Sequence, residues 1–276
     1  MSKFASYKNR RVIVSGCFSG MGEATARMLL DLGADVHGVD YKQCILPLAS
    51  FTQIDLRDPA SIDATVEKIG GKIDALFNCA GLPNTAPTLD VMKVNFLGTR
   101  HLTEAVLRRM QEGAAIASIS STGGLGWSQR LATNMELVST KTFEEGLKWC
   151  EAHSEVLGDG YGFSKEAVIV WTQFSAAHLI KRGIRMNCTL PGPTQTPMMA
   201  NFESAIPAAI LDAAAQPIGR RATPQEQAGP LVFLNSDAAS YVNGLALPVD
   251  GGFVGAVATG QIDLAALFGA RPQAPA

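Results

Sequence analysis

Short apolar runs alternate with segments of helical periodicity along the chain. The run at 12–14 is unbroken and leads to Gly16, as is typical of a strand buried on both faces of a parallel sheet. The segment at 22–32 carries Ala26, Leu29 and Leu30 on one face, which predicts an amphipathic helix. The same reasoning predicts further strands at 36–39, 51–54, 73–77, 114–119, 184–188 and 245–249.

Capping residues mark two helix starts. Asp58 precedes Pro59, an N-cap residue followed by proline at the first helical position, and Thr223 with Glu226 has the pattern of a capping box. Long helices are also predicted at about 89–110 and 160–181. Strands that alternate with helices must cross over right-handedly. The chain is therefore expected to form an α/β fold, a Rossmann-type doubly wound parallel sheet of about seven strands, as a single domain over residues 1–276.

Two segments interrupt this alternation. The first, at about 123–159, lies between the fifth strand and the helix at 160, and we expect it to be an insertion with one amphipathic helix at about 142–152. The second, at about 194–216, is rich in Met, Phe and Ile and resembles a lid. By topology both lie above the crevice at the carboxyl ends of the strands.

Composition excludes several classes of partner. The 276 residues carry a formal net charge of −2 without basic or acidic blocks, so neither nucleic acid nor an anionic membrane surface is expected as a partner. No apolar run has the length of a membrane span or a signal peptide. The five cysteines and four histidines lack metal-ligand spacing, so we expect no metal and a cytoplasmic location.

A glycine-rich turn joins the first strand to the first helix. Its spacing is Gly16-x-x-x-Gly20-x-Gly22, and each glycine allows a sharp turn or a close approach of the backbone. Backbone N–H groups and the positive helix end at such a turn bind the diphosphate of a dinucleotide. Asp40 ends the second strand, where a carboxylate accepts both ribose hydroxyls and repels a 2′-phosphate, so NAD is preferred to NADP. The alternative interpretation of Asp40 is a solvated strand end.

Tyr161 and Lys165 are one helical turn apart and so lie on the same helix face. We expect the ammonium group, together with the positive nicotinamide, to lower the phenol pKa toward working pH. The phenol then serves as general base in alcohol oxidation and as general acid in ketone reduction. Ser121 closes the fifth strand, and its hydroxyl can hold the substrate oxygen opposite Tyr161. A purely structural serine at a strand end is the alternative, and that interpretation suits Ser120.

With these residues in order, the chain resembles the short-chain dehydrogenase/reductase family over nearly all of its length. The matching motifs are the glycine turn, the segment 78–81, the segment 94–98 and the Asp250-Gly251-Gly252 signature. The resemblance implies a catalytic set of Asn95, Ser121, Tyr161 and Lys165. It also implies that cofactor contacts come from Gly16, Ser19, Gly20, Met21, Gly22, Asp40, Asp55, Leu56, Asn78, Ala80, Gly81, Tyr161, Lys165, Pro191, Gly192, Thr194 and Thr196.

The resemblance further implies direct hydride transfer between the substrate carbon and the nicotinamide, with no metal. Protons would pass from Tyr161 through a ribose hydroxyl and Lys165 to water near Asn95. Family members are usually homodimers or homotetramers, so the same is expected here. Ser121 and Tyr161 are 40 positions apart, farther than is common in the family. The inserted segment is similar to that of bacterial 3α-hydroxysteroid dehydrogenase/carbonyl reductases and coniferyl-alcohol dehydrogenases.

Three functions follow from these observations. The first is an NAD-dependent enzyme that interconverts a secondary alcohol and a ketone on a bulky apolar substrate, steroid-like or aromatic, because Met and Ile side chains line the lid segment. The second is an aryl-propenoid alcohol dehydrogenase of the coniferyl type, for which a flat pocket is expected. The third is a dinucleotide sensor without turnover, which would not need a tuned phenol. The apolar lid residues could also simply pack the lid or a subunit contact.

Overall fold

The computed structural model describes residues 6–263. Seven parallel strands form one sheet in the order β3-β2-β1-β4-β5-β6-β7, which confirms the doubly wound fold. The order reverses between β1 and β4, where a crevice opens at the carboxyl ends of the strands. The strands are β1 (Arg11–Ser15), β2 (Asp35–Asp40), β3 (Ser50–Gln53), β4 (Ala75–Asn78), β5 (Ala115–Ile119), β6 (Arg185–Pro191) and β7 (Ala246–Val249).

Helices cover both faces of the sheet. One hydrophobic cluster packs under α2, α4 and α8, and a second packs under α1 and α11 on the opposite face. The helices are α1 (Gly20–Asp31), α2 (Pro59–Ile69), α3 (Thr88–Met92), α4 (Thr99–Leu107), α5 (Leu131–Val138), α6 (Phe143–Ala152), α7 (Ser154–Leu157), α8 (Tyr161–Leu179), α9 (Met199–Ala205), α10 (Ala208–Ala214), α11 (Pro224–Asn235) and α12 (Phe253–Ala258).

The predicted caps are present at both helix starts. The Asp58 side chain accepts a hydrogen bond from the N–H of Ala60, and Pro59 opens α2. Thr223 and Glu226 form the reciprocal capping box at the start of α11. These local signals therefore locate the two helices correctly. Within residues 6–263, no helix is long and apolar enough to cross a membrane.

The predicted single helix at 89–110 is wrong in its middle. A π-helix, Lys93–Gly98, separates α3 from α4, and α4 ends at Leu107. A Cβ on Gly98 would lie 2.1 Å from the carbonyl oxygen of Leu56, so the loop after β3 packs directly on the widened turn. Hydrophobic periodicity does not distinguish one wide turn from a regular helix, so the π-helix could not be predicted. Glycine at position 98 allows the close contact with Leu56.

The insertion holds more structure than the one helix predicted. A 3-10 helix, Thr122–Ser128, is followed by α5, α6 and α7. Arg100 of α4 is 2% exposed, and its guanidinium donates hydrogen bonds to the carbonyl oxygens of Leu137, Thr140 and Thr142. The buried guanidinium of Arg100 therefore bonds the insertion to α4.

A second polar contact joins the insertion to α8. Glu166 is buried, and its carboxylate accepts hydrogen bonds from Arg130 at 2.6 and 3.0 Å and from Asn134 at 3.1 Å. A Cβ on Gly126 would lie 2.8 Å from the same carboxylate, so the 3-10 helix also packs tightly here. The inserted helices thus support the helix that carries the predicted phenol and amine.

Candidate active site

The glycine-rich turn packs against the end of β4. Gly16 has a φ of +74°, and a Cβ there would lie 2.6 Å from the backbone nitrogen of Ala80. A Cβ on Gly22 would lie 2.0 Å from the carbonyl oxygen of Gly16. The hydroxyl oxygen of Ser15 accepts hydrogen bonds from the N–H groups of Cys79 and Ala80. Only glycine fits these close approaches, and they bring the turn against the segment that follows β4.

The first turn of α1 faces the same crevice. Ser19 is the N-cap with extended backbone, and Gly20 and Met21 follow as the first helical residues. Helical N–H groups at these positions have no acceptor within their own helix, so they can bind a phosphate. A Cβ on Gly20 would lie 3.2 Å from the Thr196 side chain, which brings the segment after β6 to the turn. The residues therefore fit the diphosphate of a dinucleotide.

The Asp40 carboxylate, at the end of β2, accepts two backbone hydrogen bonds. One carboxylate oxygen accepts the N–H of Phe18 at 3.0 Å, and the other accepts the N–H of Lys42 at 2.9 Å. The carboxylate thus joins the glycine-rich turn to the loop after β2. The Lys42 ammonium lies 5.4 Å from the centre of the Phe18 ring. Each carboxylate oxygen still has a second lone pair for a ribose hydroxyl.

Asp55 and Leu56 lie in the loop after β3, at the same end of the sheet. The Asp55 carboxylate accepts hydrogen bonds from the Arg57 guanidinium at 2.8 and 3.0 Å. These bonds hold the pKa of the Asp55 carboxyl below its usual range. Leu56 is buried against Gly98, as described above. The side chain of Asp55 is therefore engaged in an ion pair, a use that the sequence did not indicate.

Asn78 ends β4 and links two neighbouring elements. Its amide nitrogen donates to the hydroxyl oxygens of Thr103 in α4 and Ser118 in β5, at 2.9 and 3.1 Å. The residue is 3% exposed, so these bonds lie inside the protein. Asn78 consequently stabilises the sheet next to the turn at 79–81. Its role as a cofactor contact stays a prediction.

Asn95 lies in the π-helix, with its side chain turned toward the loop after β4. Its side-chain oxygen accepts the N–H of Leu82 at 2.7 Å, and its nitrogen donates to the Leu82 carbonyl and to Ser164. A Cβ on Gly81 would lie 3.3 Å from the Asn95 oxygen and 3.8 Å from the Lys165 ammonium nitrogen. The side chains of Asn95 and Lys165 therefore both lie next to Gly81.

Ser121 and Tyr161 come together although 40 positions separate them. A hydrogen bond with Ser121 acts to lower the pKa of the Tyr161 phenol, but burial, the larger effect, raises it above its ordinary value. A Cβ on Gly123 would lie 3.4 Å from the Ser121 hydroxyl and 3.5 Å from the Tyr161 ring. Protein groups alone thus do not give the lowered phenol pKa that the sequence led us to expect, because burial outweighs the hydrogen bond.

Lys165 is buried beneath Tyr161. Its ammonium donates to the carbonyl oxygen of Ile119 at 3.0 Å and lies 5.6 Å from the centre of the Tyr161 ring. Burial lowers the pKa of Lys165 to about 8, opposed by the nearby thiols of Cys188 and Cys79. The predicted helical spacing is correct, and the ammonium also fixes the end of β5.

Ser120 and Ser164 hold this pair in position. Ser120 donates to the carbonyl oxygen of Lys165 at 2.7 Å, which fits the structural interpretation of that serine. Ser164 donates to the carbonyl oxygen of Tyr161 and accepts from Asn95, so it joins the predicted asparagine to the first turn of α8. Sequence reasoning missed Ser164, although its position between the tyrosine and the lysine could have indicated it.

The segment after β6 forms the opposite wall. The N–H of Gly192 donates to the carbonyl oxygen of Val249 in β7, and the Thr122 hydroxyl donates to the carbonyl oxygen of Pro191. Thr194 is buried, and its hydroxyl donates to the Gly192 carbonyl at 2.9 Å. The Thr194 side chain is therefore used within the loop, and the backbone of 191–193 is bonded to β7 and to neighbouring loops.

The lid segment contains α9 and α10, and α9 lies over Tyr161. The Phe202 ring meets the Tyr161 ring edge to face, with centroids 5.0 Å apart. Asn201 donates to Thr85 in the loop after β4, and Glu203 pairs with Arg221. α9 therefore lies against Tyr161, and the role of the segment as a lid stays a prediction. A cavity of about 310 Å³ opens beside 192–193 and is not lined by Tyr161, which the lid covers.

Across residues 6–263, no group of three or more His, Cys, Asp or Glu side chains is arranged to hold a metal ion. The site instead collects a phenol, a hydroxyl and a buried amine within one crevice, beside a turn suited to a diphosphate. This arrangement can move a proton to or from a substrate oxygen while an adjacent dinucleotide exchanges a hydride.

Comparison with known proteins agrees with this chemistry. Residues 10–133 match the family described as short chain dehydrogenase, and residues 152–254 match the one described as enoyl-(acyl carrier protein) reductase. The chain is 40% identical to a coniferyl-alcohol dehydrogenase of Pseudomonas sp. strain HR199, over 88% of this chain and 96% of that protein. It is 30% identical to a 3-alpha-hydroxysteroid dehydrogenase/carbonyl reductase of Comamonas testosteroni, over 87% and 95%.

A solved structure supports the same fold. The chain is similar to a 3-alpha-hydroxysteroid dehydrogenase of Pseudomonas sp. B-0831 that was crystallised with NADH, with a TM-score of 0.75 and 26% identity. The match covers 92% of this chain and all of that one.

Proposed function

The chain belongs to the short-chain dehydrogenase/reductase family, an oxidoreductase family that acts on alcohols with a nicotinamide dinucleotide, and from this premise we propose that it oxidises an aryl-propenoid alcohol of the coniferyl type. The observation that carries the proposal is the Phe202 ring set edge to face over Tyr161. An aromatic wall directly above the catalytic phenol favours a flat ring conjugated to the reacting carbinol.

The comparisons support this substrate better than the bulky secondary alcohol that the sequence favoured. The coniferyl-alcohol dehydrogenase shares 40% of aligned residues with the chain, against 30% for the hydroxysteroid dehydrogenase. The hydroxysteroid relative and the similar NADH complex keep a steroid-like alcohol as the second candidate. The lining of the lid alone suits either substrate, because Met and Phe side chains adapt to several apolar shapes.

The chemistry follows from the positions of three side chains. Ser121 and the Tyr161 phenol together hold the substrate hydroxyl, and Tyr161 takes its proton as the carbinol carbon is oxidised. Nicotinamide dinucleotide, when bound, supplies the carbon that accepts the hydride. Lys165, 5.6 Å from the phenol ring, favours the phenolate through its positive charge. Asn95 fixes Leu82 and Ser164, and we infer that water near it receives the proton.

We infer that NAD is preferred to NADP. Asp40 directs a carboxylate to the position expected for the ribose hydroxyls, and a 2′-phosphate would meet that negative charge. The hydrogen bonds from Phe18 and Lys42 N–H groups hold the carboxylate in one orientation. The ammonium of Lys42 is drawn to the Phe18 ring, 5.4 Å from its centre.

The purified protein tests the proposal directly. It is mixed with NAD or NADP and with cinnamyl, benzylic and 3α-hydroxysteroid alcohols, and the absorbance of the reduced cofactor is followed. We expect the highest kcat/KM with NAD and the cinnamyl alcohols, and a loss of roughly 10²–10⁴-fold in Tyr161→Phe with unchanged NAD binding. Turnover of the steroid without turnover of any cinnamyl alcohol would overturn the substrate class, and an active Tyr161→Phe would overturn the mechanism.

A further inference from the structure

The loop at 81–85 connects the catalytic residues to the lid. At its start, the N–H and carbonyl groups of Leu82 are both bonded to the Asn95 side chain, at 2.7 and 3.1 Å. At its end, the Thr85 hydroxyl oxygen accepts a hydrogen bond from Asn201 of α9 at 3.1 Å. The loop is thus held at both ends, and it borders the space between the catalytic centre and α9.

Asn84 lies between these two anchors. Its side-chain oxygen is buried from water and accepts no hydrogen bond from any described residue, 6–263. Leaving a buried acceptor unpaired costs on the order of 1–3 kcal/mol, and such atoms are rare in native proteins. A hydrogen-bond donor from outside the described residues, such as a ligand or a water molecule, would remove this cost.

Other buried amide oxygens share this lack of a partner but differ in their setting. The others are at most 3% exposed, and their amide nitrogens bond to neighbouring groups of the protein: Asn78, Asn134, Gln227 and Asn235. Asn84 instead lies on a partly exposed loop. Of these five residues Asn84 alone is partly exposed, so a small turn of its side chain would bring the covered oxygen to a bound substrate.

The position relative to Tyr161 indicates which part of a substrate would meet Asn84. The reacting carbinol lies at the phenol, and Phe202 of α9 covers that phenol. Because α9 is also bonded to Thr85, a flat substrate under the lid extends toward the loop with the end remote from its carbinol. A neutral amide oxygen accepts a hydrogen bond from a hydroxyl, and it repels an anionic or purely accepting group.

Resting on the aryl-propenoid function above, we propose that Asn84 is a specificity-determining residue whose side-chain oxygen accepts a hydrogen bond from a hydroxyl on the substrate ring. The enzyme then selects 4-hydroxylated cinnamyl alcohols over those without the hydroxyl. A methoxy group at the same position cannot donate, so it does not replace the hydroxyl.

Three alcohols that differ at one ring position test the proposal: 4-hydroxycinnamyl, 4-methoxycinnamyl and unsubstituted cinnamyl alcohol. The wild type should prefer the first. In Asn84→Leu the ratio of kcat/KM for 4-hydroxycinnamyl to that for cinnamyl alcohol should fall about tenfold, mainly through KM. Asn84→Asp should keep the preference, because a carboxylate also accepts a hydrogen bond.

Thr85→Val is the matched control. It breaks the Thr85–Asn201 bond and leaves the Asn84 oxygen in place, so it should change kcat/KM for all three alcohols by the same factor. If cinnamyl alcohol is oxidised and Asn84→Leu keeps the wild-type ratio within twofold, the role of Asn84 is wrong and the proposed function stands. A wild type that oxidises none of the three alcohols overturns the proposed function and this inference with it.

Discussion

Phe202 stands edge to face against Tyr161, with the two ring planes inclined by 70° and their centroids 5.0 Å apart. Of its helix neighbours, Asn201 and Glu203 are bonded to groups outside α9, so the helix holds the ring in this place. We therefore expect the lid to be part of the catalytic centre, because it would form the surface that a substrate ring meets before its carbinol reaches the phenol.

Shortening Phe202 should weaken substrate binding more than chemistry. Aromatic contacts of this geometry contribute about 0.5–1.5 kcal/mol, so Phe202→Ala should raise KM for cinnamyl alcohols about threefold to tenfold. The kcat should stay within about twofold, since the phenol and its proton path are untouched. Phe202→Tyr, which keeps the ring, serves as the control, and steady-state kinetics provide the measurement. A lower kcat with unchanged KM would mean that the lid acts on chemistry instead.

Replacing the charge at Asp40 should change cofactor choice. Asp40→Ala combined with Tyr41→Arg removes the carboxylate and adds a cation for a 2′-phosphate, and we expect the NAD to NADP ratio of kcat/KM to fall by about 10²-fold. Asp40→Asn should give an intermediate ratio, because it keeps a neutral acceptor for the Phe18 N–H. If the ratio in the double variant equals that of the wild type, Asp40 only stabilises the loop.

Lys165 should make stability depend on pH in the alkaline range. Its pKa is about 8 in the folded protein and about 10.4 when unfolded, so the unfolded state binds more protons between these values. The contribution of Lys165 to the free energy of unfolding therefore rises from pH 8 to 10.4 and is constant below and above. Denaturant titrations of wild type and Lys165→Met at several pH values give the difference that isolates it. A flat difference would refute the lowered pKa.

Arg100 should be needed to keep the insertion in place. In Arg100→Met the carbonyl oxygen of Thr140 loses its donor, whereas those of Leu137 and Thr142 keep other donors. This should lower the free energy of unfolding by about 1–3 kcal/mol. Arg108→Met, at the exposed end of the same helix, should cost less than about 0.5 kcal/mol. Equal midpoints and slopes for both variants in urea would show that the buried cation contributes little.

Local signals in the sequence were sufficient for the sheet and for bringing Tyr161 and Lys165, two of the predicted catalytic residues, together. Apolar runs located the seven strands, and the i, i+4 spacing put Lys165 beneath Tyr161. The π-helix could not be predicted in this way, because its apolar spacing is close to that of a regular helix. The hydrogen bonds of Asp40 and the Arg57 pairing of Asp55 depend on loops whose path is set by tertiary packing.

The insertion illustrates the same limit. Arg130 and Asn134 form one network around the buried Glu166 carboxylate when α5 packs against α8, and no short-range sequence pattern indicates this network. The phenol pKa is a further example, since burial of Tyr161 outweighs the bond to Ser121 and depends on how the lid and the 3-10 helix enclose the ring.

The contact between Leu56 and Gly98 has a consequence for engineering. The loop after β3 rests on the widened helical turn that carries Asn95, with no space for even a methyl group between them. The loop after β3, which borders the proposed dinucleotide site, and the turn at the proposed proton exit are therefore parts of one rigid seam. We expect a loop graft that changes the nucleotide preference to change the turnover rate as well, unless residues 56 and 98 are transferred together.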